Sequence, residues 1–257
     1  MPKSNMRRGP AVAGAVAGLL LLTSCGGGSG DGDGTGARPH GAAKKPSASP
    51  TSGLDRIPDL GDRIRARIPA DSRQVVVVYG AAKDSADATV VLYDRETGPA
   101  GGKDTGRSGT WDRVAGWPAH NGAKGWTPDH REDDRRSPAG VFTLSDAGGV
   151  LADPGARLPY TRSASFAAPR DWARTHWHDF DYVVAIDYNR VKGTPPNDPT
   201  RPQGRRKGGG IWLHMDHGSG TSGCVSVSKA AMETLLRSLD PARKPVVVMG
   251  DRAYLRS

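Results

Sequence analysis

The chain concentrates its reactive side chains in Gly208-Gly209-Gly210-Ile211-Trp212-Leu213-His214-Met215-Asp216-His217-Gly218-Ser219-Gly220-Thr221-Ser222-Gly223-Cys224-Val225-Ser226-Val227. A cysteine attacks as its thiolate, so one that does chemistry needs a base or an imidazolium nearby. His214 ends an apolar run that reads as a strand, and Cys224 follows ten residues later behind a Gly-rich turn. That order can bring imidazole and thiol to one pocket. Ser222 and Gly223 are small enough to admit an acyl group, and the backbone N–H groups of Ser222, Gly223 and Cys224 can face a developing oxyanion. His217 is nearer the cysteine in sequence and is the alternative base. Alternation along a strand puts Trp212 and His214 on one face and Leu213 on the other. A rigid element would then hold His214, whereas His217 opens the Gly218-Ser219-Gly220 turn and is expected to be mobile.

Other reactive types carry weaker patterns. His120, His130, His176 and His178 read as surface or groove residues. His176-x-His178 with Asp179 and Asp181 contains metal-ligand types, but neither a cysteine cluster nor His-Glu-x-x-His accompanies it, so no metal and no cofactor are expected. Asp133 and Asp134 form a carboxylate pair of the kind glycoside hydrolysis uses. Beside Arg131, Arg135 and Arg136 they read better as a salt-bridged turn.

The elements that must position these residues are mostly strands. Short β-branched runs stand at Gln74–Tyr79, Thr89–Tyr93, Gly140–Leu144, Tyr182–Tyr188, Ile211–His214 and Val246–Met249, punctuated by Gly, Pro and Asp. One helix is predicted after a Ser228 N-cap, with Met232, Leu235, Leu236 and Leu239 on one face and Pro241 ending it. Trp111–Arg136 and the Pro-rich Lys192–Gly210 read as long loops able to shape a groove. Before the strands, residues 54–73 form a lead-in with Ile57, Leu60, Ile64 and Ile68 at helical spacing, limited by Pro58 and Pro69.

The N-terminus looks like an export signal. Lys3, Arg7 and Arg8 precede the apolar stretch Ala11–Leu22, which is too short to span a bilayer comfortably. Leu22-Thr23-Ser24-Cys25 resembles a bacterial lipobox, which makes 1–24 a signal peptide and Cys25 a lipidated anchor to the outer face of the cell membrane. Residues 25–53 are rich in Gly, Ser, Asp and Pro and read as a tether, with an end-to-end distance on the order of 30 Å. If Cys25 carries lipid, Cys224 is the single remaining thiol and an internal disulfide is excluded. The net charge of +9 would suit nucleic acid in a cytosolic chain. Dispersed over an exported one, it implies weak attraction to anionic lipid and wall polymers and no nucleic acid.

Trp212-Leu213-His214 followed by Thr221-Ser222-Gly223-Cys224-Val225-Ser226-Val227 resembles the L,D-transpeptidase catalytic domain family, also called YkuD-like. Two further blocks are similar to family segments. Asp129–Phe142, with Ser137-Pro138-Ala139-Gly140-Val141-Phe142, matches its Thr-Pro-Ala-Gly-x-Phe step, and Tyr188-Asn189-Arg190 its Tyr-Asn step. Three features depart from the commonest pattern: Ser222 stands where His is usual, the spacer from His214 is short, and Ser226-Val227 follows the cysteine. The resemblance implies a mainly β catalytic domain over 74–257, a sandwich of mixed sheets with few short helices. It implies Cys224 as nucleophile, His214 as base, Ser222 and Gly223 at the oxyanion, and Tyr188, Trp212 and Thr221 near the substrate. The substrate class would be peptidoglycan stem peptides, cut between a diamino acid and terminal D-alanine, with carbapenem-type inhibitors adding to the thiol. An L,D-carboxypeptidase using water, or a catalytically silent wall-binding lipoprotein, are the alternatives.

Overall fold

The computed structural model describes residues 51–95 and 109–257. The signal peptide, Cys25 and nearly all of the tether lie outside the described residues. The strands are β1 (Thr51–Leu54), β2 (Gln74–Gly80), β3 (Asp87–Arg95), β4 (Trp111–His120), β5 (Trp126–Thr127) and β6 (Ser137–Pro138). They continue as β7 (Gly140–Gly149), β8 (Tyr160–Arg162), β9 (Val183–Ile186), β10 (Trp212–Met215), β11 (Val225–Val227) and β12 (Val246–Asp251). Three short helices join them: α1 (Asp62–Arg65), α2 (Lys229–Ser238) and α3 (Arg252–Leu255). Among the described residues no helix is long and apolar enough to cross a membrane.

The chain is mainly β, as expected, but its strands do not form a sandwich. β4, β11, β10, β9, β7, β12, β2 and β3 pair in that order, and β3 pairs back onto β4, so the sheet closes like a barrel. Closure depends on β4, within a stretch predicted to be a loop. Gly116 and Pro118 interrupt its pattern, and Pro118 has no N–H to donate. Pairing overrides that weakness: one edge of β4 runs along β3, while the other takes β1 at Trp111 and Arg113 and β11 at Ala119 and His120. β1 also moves the start of the folded region into residues assigned to the tether, since Thr51 pairs with Arg113.

Alternate residues divide the core. Val76, Val78, Val90, Leu92, Val247 and Met249 point inward to Leu213, Val225 and Val227, and α2 adds Met232, Leu235 and Leu236 to the same cluster. The outward set, Val75, Val77, Val91, Tyr93, Val246 and Val248, is covered by Ile57, Leu60, Ile64, Ile68 and Leu255. The lead-in segment therefore packs over the barrel wall, and its helical turn is α1. Burial on both faces explains why β2 and β12 read as unbroken apolar runs rather than alternating ones. The predicted helix is α2, where the Ser228 hydroxyl accepts from the Ala231 N–H at 3.3 Å.

Candidate active site

β10 and β11 are parallel, with Leu213 opposite Val225 and His214 opposite Ser226. Their connection, residues 216–224, is shorter than the dozen or so residues a parallel crossover usually takes. The loop must double straight back, which brings Cys224 beside the first residue of β10. The Trp212 N–H approaches Cys224 Sγ at 3.4 Å, and the thiol faces the Gly210 carbonyl at 3.5 Å. Leu213 and Val225 occupy the interior, so Trp212 and His214 face the other way, as alternation predicts. Cys224, Trp212 and His214 line one cavity of about 680 Å³, together with Phe180, Pro196 and Arg201. That volume suits a small-molecule or peptide ligand.

His214 is 2% exposed, packed edge-on to Phe180 with ring centroids 5.3 Å apart. Its Nδ1 lies 2.8 Å from the Met215 carbonyl. A carbonyl only accepts, so Nδ1 carries the proton and Nε2 keeps the lone pair a base needs. Burial pushes His214 down to about 4, and burial likewise pushes the Cys224 thiol up to about 11. The resting pair is therefore neutral thiol and neutral imidazole, not the thiolate that motif reasoning suggests. The low-dielectric cavity disfavours both charges.

The turn that presents the thiol is clamped from beneath. The Ser137 hydroxyl donates to the Gly223 carbonyl at 2.7 Å, and the Thr221 hydroxyl donates to the Cys224 carbonyl at 2.6 Å. The Gly223 N–H is given to Thr221 Oγ1 at 3.1 Å. Thr221 thus fastens the loop while also lining the cavity, and the Gly223 amide is engaged in this conformation. Gly223 has φ +151°, and a Cβ there would sit 3.1 Å from the Arg136 carbonyl oxygen and 3.4 Å from His130 Cε1. Ser222 lines the cavity beside Cys224.

Several side chains take roles their local sequence did not announce. Tyr188 is a brace: its hydroxyl donates to the carbonyls of His130 and Lys207, and its ring packs on His130 and Phe142. Asn189 donates to the carbonyls of Gly204 and Gly208, holding the Pro-rich loop that walls the cavity. Arg190 is buried against Asp146 and Asp187. His130, expected at the surface or in a groove, is only 4% exposed under the Gly223 turn. The only early signal for Ser137 and Asn189 was their place in the family-like segments. Asp134 sits in a turn as expected, but it accepts from the backbone N–H groups of Arg131 and Arg136 at 2.9 and 2.8 Å, while the guanidinium groups pair elsewhere, Arg131 with Asp129 and Arg136 with Asp84.

His217 is enclosed rather than projecting from the turn. Its side chain is 4% exposed, with Nδ1 3.1 Å from Asp179 Oδ2, and its ring lies against His176 at a centroid distance of 4.2 Å. His176 Nδ1 is 2.9 Å from the same carboxylate oxygen. The His176-x-His178 pair is split: His178 turns away to Asp181 and its side chain is 75% exposed. His176, Asp179 and His217 all line the cavity that holds Cys224.

Residues 102–248 match the YkuD family, the L,D-transpeptidase catalytic domain. No curated protein and no solved structure matches the chain. The matched stretch covers more than half of the sequence and contains both the cavity histidine and the thiol, so the chain belongs to the YkuD family of L,D-transpeptidase catalytic domains.

Proposed function

We propose that the protein is an exported, lipid-anchored L,D-transpeptidase that works on peptidoglycan stems through a Cys224 thioester. The observation that carries the reading is the pairing, in one cavity, of a thiol with a buried imidazole whose Nδ1 is already committed to the Met215 carbonyl. Cys224 Sγ attacks the carbonyl between the diamino acid and D-alanine while His214 Nε2 takes the thiol proton. Because both groups rest neutral, the proton moves as the C–S bond forms, so no free thiolate has to form first, and the imidazolium that results is balanced by the oxyanion. Collapse breaks the C–N bond, and the proton on His214 leaves with D-alanine. An amine of a neighbouring stem then attacks the thioester, His214 removes its proton, and the thiol is restored. The amides of Ser222 and Cys224 serve the oxyanion, joined by Gly223 if Thr221 releases it.

Incubation of the purified protein with muropeptides, read by mass spectrometry, tests this. A cross-linked dimer with loss of D-alanine is expected. A tripeptide alone would mean that water is the acceptor, as in an L,D-carboxypeptidase, and an unchanged stem would mean a catalytically silent wall-binding lipoprotein. Anchoring has its own test: detergent-phase partitioning should be lost in Cys25→Ala, because acyl chains contribute about 0.8 kcal/mol per buried CH₂. Unchanged partitioning would remove Cys25 as the anchor.

A further inference from the structure

We propose that His176, Asp179 and His217 form a site for a borderline divalent transition-metal ion, with Zn²⁺ as its probe, in the wall of the Cys224 cavity. Their donor atoms all lie within 4.8 Å of one another. The separations of His176 Nδ1 and His217 Nδ1 from Asp179 Oδ2, 2.9 and 3.1 Å, approach the spacing of about 3.3 Å that bonds of 2.0–2.1 Å impose on tetrahedral zinc donors. Two imidazoles and a carboxylate are a donor set that suits zinc and its neighbours, whereas Ca²⁺ and Mg²⁺ take oxygen.

A second observation points to a missing ligand. Neither ring nitrogen of His217 makes a hydrogen bond, and Asp179 Oδ1 has no partner either, although both side chains are 96% buried. Orphaned buried polar atoms are costly, and a metal ion held by one His217 ring nitrogen and the Asp179 carboxylate would supply a partner to both side chains. The donors are also held in place. The Asp179 carbonyl accepts from the Met215 N–H at the end of β10, and Trp172 packs edge-on to His176. Three protein donors leave a fourth position, and since all three residues line the cavity, an oxygen of a bound peptide or a water can fill it. The site neither requires nor replaces the thiol.

Zn²⁺ alone, titrated into the full chain after chelator treatment, distinguishes this site from adventitious thiol binding. The parent, Cys224→Ser and His178→Ala should each take up one equivalent with similar affinity. His217→Ala and Asp179→Asn should bind about tenfold more weakly or worse, since even outer-sphere changes at metal sites cost 10- to 100-fold. A melting curve without metal verifies that each variant is folded, and either of the two suffices if the other is not. Absence of saturable binding by the parent would overturn the proposal. So would retention of full affinity by a folded His217→Ala or Asp179→Asn variant, or loss of binding in Cys224→Ser.

Discussion

Opposite walls of the barrel treat burial differently. On β2, β3 and β12 both faces are covered by apolar neighbours, and the outer face disappears under the lead-in segment and α3. On β10 and β11 the inner face is apolar, whereas the outer face is mixed, with Trp212 packed on Phe166 and Phe180 beside His214. That side holds His214 and, in the loop just before β11, the partly exposed Cys224, with the enclosed side chains of Asp179 and His217 close by, and all four border the cavity. The first wall gains stability from burial. The second holds His214 and Cys224 at some cost in stability, because burial disfavours the charged form of each. Stability and reactivity are thus carried by separate parts of one closed sheet.

Variants can break that division, and the largest effect should come from the thiol. Cys224→Ala should lose all covalent adduct with a carbapenem in an intact-mass spectrum. An adduct persisting in that variant would place the nucleophile elsewhere. Next is the base: His214→Ala should slow acylation by roughly 10²-fold or more, the scale of general-base removal, with little change in fold. His217→Ala should stay within a few-fold, and stopped-flow rates in the reverse order would transfer the role to His217.

On the other wall, Ile64→Ala should cost about 2–5 kcal/mol in a urea titration, because Ile64 is fully buried. The acylation rate of the folded fraction should not move. Should that rate fall in step with stability, the two walls are coupled and the division proposed above is wrong.

The smallest effect is a pH dependence of stability. Burial holds His214 near 4 against an ordinary value of 6.5, so between these values the unfolded chain binds more protons than the folded one. The stabilisation is complete above about pH 6.5 and is lost as pH falls toward 4, by up to about 3 kcal/mol. Burial lowers His130 in the same direction, so His214→Ala should flatten the slope only in part. Urea midpoints at pH 7 and 4.5 measure it, and an unchanged slope in His214→Ala would mean that His214 is hydrated in the folded protein.

Strand identity was readable where both faces are buried, since Val75–Val78 and Val246–Val248 declare themselves by composition alone. The chemistry was readable where it is local: His214 at a strand end and Cys224 after small residues are matters of order along the chain. Alternation even assigned Trp212 and His214 to one face, because the strand period is a property of the backbone. Tertiary structure decided what depends on distant partners. β4 is a strand because β3, β1 and β11 all pair with it, and that pairing turns an expected sandwich into a closed sheet. Tyr188 and Thr221 are fasteners because carbonyls far along the chain, or folded back onto it, receive their hydroxyls. His217 parts from the flexible turn it seemed to open, and His176 from its sequence neighbour His178, because Asp179 draws both. The protonation states follow from the same cause: burial disfavours the charged forms of His214 and Cys224, and no spacing of residues along a chain specifies how deeply the fold will bury them.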